Sequence, residues 1–139
     1  MKSKSTKTAV VNHAVIPIDY RGWWRITETT TWMKENLDAL GTALISLTGS
    51  GDRLQMLYLL AHITCKATKT GVSFRWKGAW EFDQLSGSGR VKLGKDGKLQ
   101  GVFKINHGDE STFIAERAEA PMTPIPEPPS YSDKWRRRR

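Results

Sequence analysis

Hydrophobic and polar positions alternate with a period of two along most of the chain between Gly22 and Arg117, and glycine-bearing turns interrupt the alternation at short intervals. Side chains alternate across a strand, and tight turns need residues that tolerate positive φ, so the two signals together predict β-hairpins. The clearest segment is Val72 to Trp80, where Val72, Phe74, Trp76 and Gly78 alternate with Ser73, Arg75 and Lys77. Trp23 to Trp32 is rich in aromatic and β-branched residues, which suit a pleated surface. Trp24, Ile26, Thr30 and Trp32 share one face of a regular strand there, with Glu28 the exception. Val91 and Leu93 alternate with Arg90 and Lys92, and Asp96-Gly97 supplies the turn into Leu99 to Ile105. Asn106-His107-Gly108-Asp109 turns the chain into a last strand, Ser111 to Arg117.

Two segments depart from this grammar. Met33, Leu37 and Leu40 fall at helical spacing before Gly41, which predicts one or two helical turns over 33–40. Arg53 to Ala67 is the most apolar stretch and reads either as a buried helix or as strand. The turns Gly49-Ser50-Gly51-Asp52 before it and Thr68-Lys69-Thr70-Gly71 after it favour strand. The expected fold is all-β: a small antiparallel meander of about seven strands, barrel-like or strongly curved, with one short helix.

The alternation stops at both ends, which divides the chain into a flexible basic arm over 1–21, the β domain over 22–117 and a tail over 118–139. Val10, Val11, Val15, Ile16 and Ile18 could still dock as an edge segment. The tail begins with Pro121, Pro124, Pro126, Pro128 and Pro129, an extended linker that resists folding, and closes on Trp135 and four arginines. The formal charge is +8 and the isoelectric point about 9.8. The β domain holds 13 basic against 10 acidic side chains, so the tails carry most of the excess.

One cysteine, Cys65, excludes an internal disulfide framework and favours a reducing compartment. Its apolar neighbours suit a small core residue better than a nucleophile. No run reaches the roughly 20 apolar residues that cross a bilayer as a helix, and Asn12, His13 and Pro17 interrupt the apolar part of the N-terminus. A soluble, cytoplasmic protein is expected.

Candidate chemistry is sparse. His13, His62 and His107 with a lone cysteine give no zinc spacing, so neither metal nor cofactor is expected. His107, Asp109 and Ser111 evoke hydrolysis, but glycine turns with Asp and Ser bonding local backbone explain that run more simply. Ser86-Gly87-Ser88-Gly89-Arg90 and Gly49-Ser50-Gly51-Asp52 lack the lysine and hydroxyl of a Walker loop and read as turns or bulges.

The aromatic residues carry more. Trp24, Trp32, Phe74, Trp76, Trp80 and Phe82 are expected either to fill the core or to line a site for an apolar or aromatic small ligand, or a protein partner. The leading functional expectation is a non-enzymatic binding module with that site at the aromatic end of the barrel. The alternative is binding of nucleic acid or another polyanion. It would use a basic sheet face with aromatic stacking platforms, carrying Arg75, Lys77, Arg90 and Lys92, together with Lys134, Arg136, Arg137, Arg138 and Arg139 of the tail. Ligand identity and oligomeric state are not encoded legibly.

Gly22-Trp23-Trp24-Arg25-Ile26, Phe74-Arg75-Trp76-Lys77-Gly78, Ser86-Gly87-Ser88-Gly89, Asp96-Gly97-Lys98-Leu99-Gln100-Gly101 and the stretch from Gly108 to Arg117 together resemble a group of small bacterial β-rich proteins of unknown function. That resemblance spans most of 22–117, excludes the tails, and implies no catalytic residue. The opening Gly22-x-Trp24 is also similar to the start of lipocalin-like barrels.

Overall fold

The computed structural model describes residues 16–120. The expectations for Lys134, Arg136, Arg137, Arg138 and Arg139, and for His13, lie outside the described residues. Eight antiparallel strands form a closed barrel in simple sequence order: β1 (Gly22–Thr29), β2 (Leu44–Leu47), β3 (Arg53–Met56), β4 (Leu59–Thr68), β5 (Gly71–Trp80), β6 (Asp83–Leu93), β7 (Leu99–Ile105) and β8 (Glu110–Ala118). β8 pairs back onto β1, so no edge strand is left unpaired.

The all-β expectation stands, with eight strands rather than about seven. The difference lies in Arg53 to Ala67, where Leu57 takes φ 60° and folds the run into a hairpin, β3 against β4. No glycine marks that turn, and a bulky residue at positive φ is uncommon, so the apolar run looks continuous. The expected helix over 33–40 shrinks to a single 3-10 turn, Lys34–Asn36. Met33 and Leu40 remain exposed while Leu37 is buried, so the helical spacing does not mark one buried face.

The interior follows from the pleat. Trp24, Ile26, Phe74, Trp76, Phe103 and Phe113 point inward and are buried, and their chain neighbours point out. Glycines on β6 and β7 make room for the rings. A Cβ on Gly87 would meet the indole of Trp76, one on Gly89 the ring of Phe74, and one on Gly101 the ring of Phe113. Large and small inward residues thus interlock across neighbouring strands, which is how eight strands fill their own interior.

The two ends are built differently. At the base, where β1 starts and β8 finishes, residues 16–21 fold under the barrel and Ile16 is buried. The Trp24 indole donates to the Tyr20 carbonyl at 2.9 Å, and the Leu93 amide donates to the Tyr20 hydroxyl at 2.9 Å. This part of the expected arm is therefore docked. The opposite end, the mouth, carries the tight turns at Leu57-Tyr58, Glu81-Phe82 and Asn106 to Asp109, and one long connection over 30–43.

Candidate functional site

The long connection places Trp32 across the mouth. Its ring lies 6.2 Å from that of Trp80 and 5.9 Å from that of Phe103, and Phe103 stacks on Trp76 at 5.1 Å and 14°. An aromatic ladder therefore runs from the rim into the core: Trp80, Trp32, Phe103, Trp76. Three of its rings come from strands, and Trp32 alone comes from a loop. These separations are those of attractive aromatic pairs.

Local bonds hold the Trp32 segment. The Thr29 hydroxyl accepts from the Trp32 amide at 2.9 Å and lies 2.8 Å from the Trp32 carbonyl. The Ser111 hydroxyl accepts from the Thr31 amide at 3.1 Å, and the Thr31 hydroxyl donates to the Glu110 carbonyl at 2.9 Å. Further along, Leu37 is buried and its carbonyl accepts the Leu57 amide at 2.8 Å. The connection is pinned at Trp32 and Leu37, with exposed residues between.

The six aromatic residues singled out in the sequence do not form one site. Trp32 and Trp80 meet at the mouth and are half-buried; Phe74 and Trp76 are buried in the wall of the core. Trp24 belongs to the base, where the Arg117 guanidinium lies 4.1 Å over its ring. Phe82 sits on the β5–β6 turn, 96% exposed, and joins no ring stack among the described residues. The sequence reading missed Phe103, because its period-two pattern says only that it faces inward.

The basic residues are brought together, but not as expected. Arg75, Lys77, Arg90 and Lys92 all lie on the outer wall, while Phe74 and Trp76 face inward. The interleaving of cations and aromatics is the pleat itself, so the rings cannot serve as stacking platforms for bases on that wall.

The remaining candidates are structural. His107 takes φ 65° in the β7–β8 turn, and Ser111 is buried with its hydroxyl engaged by Thr31 and by the Thr112 carbonyl at 2.9 Å. Gly49-Ser50-Gly51-Asp52 is a turn closed by the buried Asp52 carboxylate. It accepts from the Ser46 hydroxyl at 2.9 Å, the Thr48 amide at 2.8 Å and the Gly49 amide at 2.8 Å. Cys65 is buried beside it at 3.9 Å, and burial, then the Asp52 charge, pushes its thiol up to about 12. A thiol so held is a poor nucleophile. Among the described residues, no three His, Cys, Asp or Glu side chains gather to hold a metal ion, and no helix is long and apolar enough to cross a membrane.

No protein-family profile matches the chain, and no curated protein or solved structure does so.

Proposed function

We propose that this protein is a non-catalytic binding module that takes an apolar, ring-bearing small ligand at the mouth of the barrel. One observation carries the reading: a loop side chain, Trp32, occupies the aromatic mouth between Trp80 and Phe103. A site that is lined by strand-borne rings and filled by a ring on a loop is chemically matched to a flat apolar ligand. Such a ligand would take the place of Trp32 while the strand rings stay in position. Eight-stranded barrels are wide enough either to fill themselves or to hold one small ligand; this one fills itself, and displacement of Trp32 would open the room at the mouth. The similarity of Gly22-x-Trp24 to the opening of lipocalin-like barrels supports the same reading. The long 30–43 connection does too, since functional segments concentrate in long loops set on a rigid scaffold.

The test is a titration with the neutral fluorescent probe N-phenyl-1-naphthylamine. Trp32 competes with the ligand, so Trp32→Ala removes the competitor and should tighten binding by about tenfold. Trp80→Ala removes a wall of the site and should weaken it. Equal affinity for the wild type and both folded variants would discard the mouth as the site.

A further inference from the structure

The outer wall of β4 to β7 has a charge distribution that the mouth does not explain. Its outward positions include Lys66 on β4, Arg75 and Lys77 on β5, Arg90 and Lys92 on β6, and Lys104 on β7. All six are exposed, and no Asp or Glu occupies an outward position of β4 to β7; Asp83 shares the face of Trp80 at the mouth, and Glu110 of β8 stands opposite Lys104 at the edge of the wall. Among the described residues none of the six is ion-paired; the pairs Arg25 with Asp38 and Lys98 with Glu116 lie off the wall strands. Balanced surfaces intersperse the two signs, whereas this wall keeps one.

The register spaces the cations. One row across the wall reads Lys66, Ser73, Arg90, and the next reads Arg75, Ser88, Lys104. A serine separates the cations in each row, and along β5 and β6 the paired cations are about 6.7 Å apart. An open groove of about 540 Å³ runs from this wall onto β8; Val91, Val102, Phe113 and Ile114 give it an apolar floor, and Thr68, Ser73, Arg90, Lys92 and Gln100 present hydroxyl, amide and cationic donors along it. Those are the groups that contact phosphate oxygens and sugars.

The wall also lacks what other partners need. The aromatic residues of its strands face inward, so the sheet face itself carries no base-stacking platform and no central aromatic anchor for a protein interface. The exposed large apolar side chains Ile18, Met33, Leu40 and Tyr58 lie off these strands, and Phe82, on the β5–β6 turn beside Lys77, is a single ring rather than an apolar patch that could enter a bilayer.

We infer that the β4–β7 wall binds the phosphodiester backbone of nucleic acid and does so without reading base sequence. This site is separate from the mouth, and either can fail alone.

The experiment is fluorescence anisotropy of the full chain against two labelled 20-base-pair DNA duplexes of unrelated sequence, between 50 and 200 mM salt. Both duplexes should bind alike, with affinity falling linearly in log salt. The quadruple variant Arg75→Ser/Lys77→Ser/Arg90→Ser/Lys92→Ser should bind at least about tenfold more weakly at the lowest salt, and its salt slope should be shallower by about 4. A control variant, Lys2→Ser/Lys4→Ser/Lys7→Ser/Lys34→Ser, removes the same charge at positions outside strands β4 to β7 and should lose less on both counts. If the quadruple wall variant melts without cooperativity, Arg75→Gln/Arg90→Gln replaces it, with an expected slope change of about 2. Equal losses in the wall and control variants would overturn the inference, as would an unaltered wall variant. Preference for phosphatidylserine vesicles or poly-glutamate over duplex, lost in the wall variant, would also overturn it and identify a membrane or an acidic protein as the partner.

Discussion

Arg117, near the end of the last strand, lies 4.1 Å over the ring of Trp24, near the start of the first. The same guanidinium donates to the carbonyls of Arg21 at 2.6 Å and Asp19 at 2.7 Å. One side chain therefore ties β8 to β1 and to the segment folded under the base, and the Trp24 indole reaches the same segment through Tyr20. Arg117→Ala removes two charge-assisted hydrogen bonds and a cation–π contact. It should lower stability by about 2 kcal/mol in urea denaturation. Arg117→Lys keeps the charge without the planar fork and should recover less than half of that. A change below about 0.5 kcal/mol for the alanine variant would mean that the base is held by packing alone.

The glycines of β6 and β7 give a second test. A Cβ on Gly101 would fall into the ring of Phe113, while one on Gly97 meets open space but sits at φ +83°. Gly101→Ala should therefore destabilise through overpacking, by about 2–3 kcal/mol. Gly97→Ala should cost only the backbone penalty, about 1 kcal/mol. Thermal melts of the two variants compare the effects directly, and equal losses would contradict ring-over-glycine packing.

Much of this fold is legible in the sequence because one period and a few turn residues encode it. Val72 to Trp80 forms its strand as the alternation predicts, and Gly97 takes the positive φ that Asp96-Gly97 announces. The failures have physical causes. Leu57 makes a turn that only tertiary context can impose, so β3 and β4 read as one run. Met33, Leu37 and Leu40 share a spacing, but Leu37 alone is drawn into the core, where its carbonyl meets the Leu57 amide. The candidate site was half legible. Trp32 and Trp80 converge, whereas Trp24 and Phe82 share their residue type but not their place. Alternation could have separated the outward cations from the inward rings of β5, because the same pleat dictates both.

Cys65 sets an expectation for alkaline pH. Burial, and then the nearby Asp52 carboxylate, raises its thiol from 9.0 to about 12. The folded state thus keeps a proton that the unfolded chain releases above about pH 9. The stability linked to this group is fully present below pH 9 and is lost progressively as pH rises from 9 towards 12. Cys65→Ala should flatten that decline in denaturation midpoints measured across the range. The intact protein should also react with a thiol reagent at pH 8 only when unfolded. Rapid labelling of the folded protein would show that the thiol is less protected than its burial implies.

The most direct measurement of the central claim is an amide-and-indole nitrogen–proton spectrum of the protein titrated with N-phenyl-1-naphthylamine. Trp32 and Trp80 stand at the mouth, while the Trp24 indole donates to Tyr20 and the Trp76 indole to the Lys104 carbonyl at 3.2 Å. A ligand that displaces Trp32 should move the indole signals of Trp32 and Trp80 together and saturably. The Trp24 signal at the base should stay in place. Saturable binding that shifts Trp24, or leaves Trp32 and Trp80 unmoved, would contradict the mouth as the binding site.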